Sequence, residues 1–165
     1  GRIKNFYGNY LVMVKALVYL KSLGRENIRQ VAEDAVLNAN YLRARLKEIL
    51  RLPYPSKTLH EVVFTDKGLP VSTLHIAKRL LDYNMHPFTM YFPLIVQGAM
   101  MIEPTETESR ETLDEFVEAL QAILTEAGEN PEIIETAPHR TPVKKLDETL
   151  AARQPVLRWQ RNPES

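Results

Sequence analysis

Apolar residues in this chain are grouped in a way that marks out most of its elements. The densest run is Tyr10 to Leu20, eleven residues broken by a single charge at Lys15. It is longer than an ordinary strand and only modestly β-branched, so it predicts a helix buried nearly all round. Asn9 is placed to cap it and Gly24 to stop it. Glu26 to Leu50 then carries Ile28, Val31, Ala35, Ala39, Leu42, Leu46 and Ile49 at three- and four-residue steps, the stripe of a long amphipathic helix. Pro53 and Pro55 end it.

The period then shortens. His60 to Thr65 is rich in β-branched and aromatic residues and predicts a strand, followed by a turn at Asp66-Lys67-Gly68. Ser72 or Thr73 starts a helix to Tyr83, with Leu74, Ala77, Leu80 and Leu81 inward and Asn84 as its stop. Tyr91-Phe92-Pro93 is short and extended, and Ala99 to Glu103 predicts a second strand. Thr105 followed three residues later by Glu108 has the form of a capping box, with Glu106 and Glu108 at the positive end of a helix dipole. That helix runs to about Ala127 with Leu113, Phe116, Val117, Leu120 and Leu124 on one side, and Gly128 ends it. Pro131 to Glu135 fits a helical turn. From Pro138 onward four prolines in 28 residues and few apolar ones predict an extended tail whose end docks through Leu157 and Trp159. The expected architecture is α+β: long helices packed on a small, mostly antiparallel sheet.

Charge changes this picture little. The 165 residues hold 21 Lys and Arg against 21 Asp and Glu. Residues 1–51 have ten basic and four acidic side chains, and residues 103–135 have one and eleven. The predicted helices absorb both blocks as solvated faces. A neutral chain lacks the excess positive charge of a general nucleic-acid or membrane-surface binder. The Arg43, Arg45, Lys47 and Arg51 group is spread by helical geometry and has no interleaved aromatics. No apolar run approaches the ~20 residues of a membrane span. There is no cysteine, which removes thiolate chemistry and fits a reducing compartment. The chain opens Gly-Arg-Ile-Lys-Asn, without Met or a secretory pattern, and its apolar run starts almost at once. A piece of a longer chain is expected.

Candidate chemistry is sparse. His60, His75, His86 and His139 have no helical metal-ligand spacing, and no metal site is expected. His60 and Glu61, as strand neighbours, would point to opposite faces. His86 precedes Pro87 in a loop, where function concentrates. Glu103, Glu106 and Glu108 lack the spacing of a calcium loop. Capping accounts for the latter two and leaves Glu103, at a strand end, unexplained. No Gly-rich phosphate loop or nucleophile elbow is present.

Several stretches taken together resemble one family. They are Phe6-Tyr7-Gly8-Asn9, Ala35 to Leu42 (AVLNANYL), His60-Glu61, Ala77 to Tyr83 (AKRLLDY), Tyr91 to Val96 (YFPLIV), Met101 to Glu108 (MIEPTETE) and Thr141 to Glu148 (TPVKKLDE). This is similar to the C-terminal part of the glycine cleavage system P-protein, glycine dehydrogenase (decarboxylating). The Tyr91–Val96 segment looks more like subunit 2 of the two-subunit bacterial form.

The resemblance implies a pyridoxal 5'-phosphate enzyme of the aminotransferase-like fold, which releases the carboxylate of glycine as carbon dioxide and passes the aminomethyl group to the lipoyl arm of the H protein. It implies that residues 1–50 are linking helices at the end of a large cofactor domain, 51–135 a C-terminal small domain and 136–165 a tail. The lysine that holds the cofactor would lie upstream, so this chain alone would be inactive and bind no cofactor. Gly8 and Asn9 become candidates near the cofactor or a subunit interface. His86, Glu103 and Thr105 become candidates on the substrate side. The partners implied are the large domain of the same polypeptide, P-protein subunit 1 and the lipoylated H protein, in an oligomer in the bacterial cytoplasm, without nucleic acid or membrane. The competing expectation is a free-standing, non-catalytic interaction or regulatory module descended from that domain. Native polypeptide size separates the two.

Overall fold

The computed structural model describes residues 1, 3 and 6–159. Among them the elements run α1 (Tyr10–Leu46), β1 (Val62–Thr65), α2 (Thr73–Asp82), β2 (Thr89–Met90), β3 (Ala99–Ile102), α3 (Arg110–Glu129), α4 (Pro131–Glu135) and α5 (Glu148–Arg153). The sheet is ordered β1-β3-β2 with both pairs antiparallel. Val62 lies opposite Ile102, Thr65 opposite Ala99 and Thr89 opposite Met101. The α+β expectation holds.

Val62 and Phe64 of β1 and Met100 and Ile102 of β3 enter a core closed by Leu42 and Leu46 of α1, Ile76, Ala77 and Leu80 of α2, Leu113, Val117, Leu120 and Ile123 of α3, and Ile134 of α4. Each fully buried aliphatic or aromatic side chain here contributes about 1.5–3 kcal/mol relative to exposure. In α2 and α3 the buried stripe is rotated slightly from the expected one. Leu74, Leu81, Phe116 and Leu124 are half-buried, and Ile76 and Ile123 take the fully buried positions.

Helix α1 is two helical segments joined at Gly24, where φ 72° and ψ 164° break the helical geometry. That region is open to glycine and nearly closed to residues with a Cβ. The expected stop is therefore present, but the chain re-enters a helix at once. Within the described chain the first segment is uncovered: Tyr10 through Met13 and Leu17 through Leu20 are all exposed, so the burial that its apolar character predicts is not supplied by these residues. In the second segment Ile28 is also exposed, and burial begins in earnest only at Ala39. The helix ends at Leu46, ahead of Leu50, and Ile49 and Leu50 turn back onto its end through N–H bonds to the Leu46 carbonyl.

A tight knot joins β1, β3 and α2. Gly98 takes φ 61°, and a Cβ there would stand 1.7 Å from the Asp66 carboxylate. Asp66 Oδ2 accepts the Thr73 backbone N–H at 2.9 Å. The Thr73 hydroxyl lies 3.0 Å from the same carboxylate oxygen and 2.8 Å from the Gly98 carbonyl, with one proton to give. Ser72 occupies the N-cap position of α2 but makes no side-chain cap bond, because Asp66 caps from across the turn. At the other end, Asn84 N–H reaches the Leu81 carbonyl and Met85 N–H the Leu80 carbonyl, with Asn84 at φ 58°. This is a Schellman ending with Asn in the left-handed position, as its sequence position suggested.

The capping box at Thr105 is not formed. Helix α3 starts at Arg110, and Ser109 is its N-cap, with Oγ accepting from the Thr112 N–H at 3.2 Å. Thr105 to Glu108 closes a turn before the helix, which moves Glu106 and Glu108 out of it. Gly128 stays helical, and α3 ends one residue later at Glu129. The acidic residues Glu111, Glu115, Glu118 and Glu129 are exposed, as a solvated face requires. The tail contains a short helix, α5, capped by Asp147, where the sequence suggested extended chain. Leu157 and Trp159 are exposed and dock on nothing among the described residues. No helix among the described residues is long and apolar enough to cross a membrane.

Candidate functional site

The turn after α2, the end of β3 and the start of α3 meet around a cavity of about 290 Å³. Leu42, Phe88, Ile102, Leu113 and Phe116 form its apolar wall, and Asn84, His86, Glu103, Glu108 and Thr112 stand among its polar lining. The Schellman ending of α2 aims Met85 and His86 at this cavity, and the end of β3 delivers Glu103. His86 and Glu103, far apart in sequence, thus share one opening. An apolar hollow with a few convergent polar groups is the usual form of a small-ligand or docking pocket.

The remaining sequence candidates fall elsewhere. Thr105 is outside the cavity lining. Its carbonyl accepts a hydrogen bond from Asn38 Nδ2 at 2.9 Å, and its hydroxyl lies 2.7 Å from that of Thr107. Asn38 also reaches the Glu108 carbonyl at 3.3 Å, so it pins this turn to α1. Gly8, at φ 125°, and Asn9 stand at the exposed start of α1, where Asn9 Oδ1 accepts from the Val12 N–H at 3.4 Å. Neither lines the cavity. His60 lies before β1, outside the pleat, so strand alternation does not separate it from Glu61. Its Nε2 is 4.0 Å from the Glu61 carboxylate and 3.9 Å from that of Glu103, with His60 and Glu103 exposed and Glu61 half-buried. His75, in the first turn of α2, is half-buried, and its Nδ1 is enclosed without a hydrogen-bond partner among the described residues. Glu106 accepts from the Tyr19 hydroxyl at 3.0 Å, linking the first segment of α1 to this turn. That bond raises the tyrosine pKa.

Sequence reading missed the most heavily bonded polar cluster. Asp82 is 2% exposed. Its carboxylate accepts the backbone N–H groups of His139, at 2.7 and 2.9 Å, and Arg140, at 2.6 Å, and Arg79 Nη1 at 2.9 Å. Arg79 also clasps Glu126 at 2.9 and 3.0 Å, and the Tyr83 hydroxyl donates to Glu126 at 2.9 Å. Burial pushes the Asp82 pKa up, but the N–H groups of Arg140 and His139, with Arg79, outweigh it and hold the carboxyl below its ordinary value. The Glu126 carboxyl is lowered by its bond to Arg79, whose own pKa is raised by the same bond. Tyr83 is raised by burial and by its bond to Glu126. The cluster fastens the start of the tail to α2 and α3. Arg79 and Asp82 at i,i+3 were visible in the sequence, but that spacing is also that of an ordinary surface pair.

With this geometry in hand, comparison with known proteins defines the class. Residues 31–145 match the family described as "Glycine dehydrogenase, C-terminal domain". The chain belongs to that family. It is 54% identical over 168 residues to a protein of Shouchella clausii named "Probable glycine dehydrogenase (decarboxylating) subunit 2", covering 100% of this chain and 34% of that one. A Thermotoga petrophila protein of the same name is 50% identical over 165 residues, covering 96% of this chain and 34% of its own. The chain thus spans about a third of the length of the curated relatives it matches. Among solved structures it is similar to a crystal structure of glycine decarboxylase (P-protein) of the glycine cleavage system in inhibitor-bound form, with TM-score 0.63 and 26% identity over 73% of this chain and 28% of that one.

The cavities described here do not fit the pyridoxal phosphate that the sequence resemblance implies. A phosphate needs N–H or cationic donors, and an aldehyde needs an amine. The His86–Glu103 cavity is lined by two carboxylates and by no lysine or arginine. A second hollow beside α2 includes Lys78 and Lys145, but Asp147 and Glu148 share it and Lys145 Nζ donates to the Glu135 carbonyl at 2.7 Å.

Proposed function

We propose that this chain is the C-terminal domain of a glycine decarboxylase of the two-subunit kind, in which it shapes and closes a reaction site whose cofactor chemistry is carried upstream. The observation that carries this reading is 50–54% identity across nearly the whole chain to proteins named subunit 2 of that enzyme. The cofactor would be pyridoxal 5'-phosphate, which supplies an electron sink for the departing carboxylate. The partners would be the large domain of the same polypeptide, a subunit 1 and a lipoylated H protein that takes the aminomethyl group. The setting would be the bacterial cytoplasm. Residues 1–50 would lead out of the large domain, 51–135 would form the small domain and 136–165 a tail.

In this reading the rim of the apolar cavity is the surface offered toward the reaction. His86 and Glu103 would position or exclude groups at the glycine site, Thr105 would hold the turn that carries Glu103, and Gly8 and Asn9 would lie near the cofactor or at a subunit interface. The cavity lining has no lysine or arginine, which suits a substrate whose carboxylate must leave, since no permanent cation there would stabilise that charge in the ground state.

The test uses both lengths of chain. The full-length protein with subunit 1 and lipoylated H protein should release carbon dioxide from glycine. The 165-residue chain with added pyridoxal phosphate should show neither a new visible absorption band nor carbon dioxide release. A band traced to one lysine of this chain would overturn the assignment of the chemistry upstream.

A further inference from the structure

The first segment of α1 has a surface that no single flat partner can cover. An α-helix makes a full turn in about 3.6 residues, so four consecutive side chains point to all sides of it. Tyr10, Leu11, Val12 and Met13 are four such residues, and Leu17, Val18, Tyr19 and Leu20 are four more. All eight are exposed. A helix apolar all round belongs inside a protein body rather than on its surface. The same element beyond Gly24 behaves differently. Arg25, Glu26, Asn27, Arg29 and Gln30 are polar and exposed, as a solvated helix requires. The change falls at the one residue whose backbone is non-helical.

We infer that Tyr10–Leu23 is threaded into the upstream part of the same polypeptide and enclosed by it on every side but the one where Tyr19 meets Glu106, and that Gly24 is the joint at which the helix leaves that body. The occupant follows from two observations. A second copy pairing across a two-fold axis offers each helix one face, which leaves the opposite apolar side in water. The curated relatives carry about two thirds of their length outside the part this chain matches, enough to surround a helix of four turns. The family match, which starts at residue 31, also leaves the segment outside the domain proper. Among the described residues, the side-chain hydrogen bond from Tyr19 to Glu106 ties the segment to the chain beyond α1. On this inference the residues before Gly24 pack in the upstream body, while Leu42 and Leu46, further along the same linking element, pack in the core of this domain.

This inference rests on the reading of the chain as the C-terminal part of a longer enzyme. The test uses the full-length protein. Hydrogen exchange of residues 11–23 should be as slow as that of α3. Leu11→Ser, Val12→Ser and Met13→Ser, which point to three different sides, should each lower Tm by several degrees, equally at all protein concentrations. Sensitivity on one side only, with a loss that grows on dilution, would show a second copy as the partner and overturn the inference. Fast exchange at 11–23 in the wild-type protein would overturn it even if every variant failed to fold. A protein that protects 11–23 but does not decarboxylate glycine would sink the functional reading alone, and an active protein with an unprotected helix would sink the inference alone.

Discussion

Replacing Asp82 by alanine removes the acceptor of three donors in one step. The carboxylate is 2% exposed and takes the N–H groups of His139 and Arg140 and one guanidinium N–H of Arg79. Hydrogen bonds to a charged group contribute about 1.5–3 kcal/mol each and are not additive. Breaking a buried pair by deleting one partner costs about 3–5 kcal/mol. Arg79 keeps both bonds to Glu126, so its charge is not stranded. This places Asp82→Ala at the lower end, about 3 kcal/mol. Asp82→Asn keeps one acceptor oxygen but turns an NH2 toward N–H donors, for a loss of roughly 2–3 kcal/mol. Urea unfolding of the full-length protein reads the loss, and amide exchange at residues 139 and 140 locates it. The pH dependence has a fixed sign. The folded-state pKa of Asp82 is depressed, so its stabilisation is complete above the unfolded value of about 3.9 and disappears as pH falls through the lower folded value. The groups facing it are Arg79, Arg140 and His139, with Glu126 and Tyr83 behind Arg79. The gap between wild type and Asp82→Ala should close on acidification. A cost below about 0.5 kcal/mol, or a gap unchanged through the carboxylate range, would refute the clamp.

Four further outcomes are expected. Gly98→Ala forces a Cβ to 1.7 Å from the Asp66 carboxylate at positive φ and should cost about 2–4 kcal/mol in denaturant unfolding. Gly128→Ala, helical and with open space at its Cβ, should instead gain about 0.5–1 kcal/mol in the same assay. Ser109→Ala should cost about 1 kcal/mol, whereas Thr105→Ala should leave stability within about 0.5 kcal/mol, a pair of unfolding curves that tells the two cap assignments apart. If the cavity rim faces the reaction, Glu103→Gln and His86→Ala should lower kcat/KM of the full-length enzyme by about tenfold or more with Tm unchanged, while Lys57→Ala, away from that cavity, should not; equal activity in all three would place the rim outside the site.

Much of the fold was legible because it depends on local repeats. The stripe on α3, the β-branched run of β1, and Asn84 and Gly24 as breaks follow from side-chain period and backbone freedom alone. Thr105-x-x-Glu108 satisfies a capping pattern, but Ser109 does the capping because Asn38 of α1 holds the preceding turn by its carbonyls. His60 and Glu61 were separated by an alternation that begins only at Val62.

By itself the sequence determined the α+β class, the backbone breaks at Gly24 and Asn84, the solvated character of its charge blocks, and a likeness to one family carried by short motifs. These depend on neighbours within a turn or two of the chain, where sterics and periodicity act directly. Only the tertiary structure decided that His86 and Glu103 share a cavity, that Asp82 anchors the tail 57 residues away, and that the apolar start of α1 is left uncovered by the described residues. The reason is that burial and electrostatic partnership depend on distance in space, and the sequence fixes that distance only through packing of the whole core.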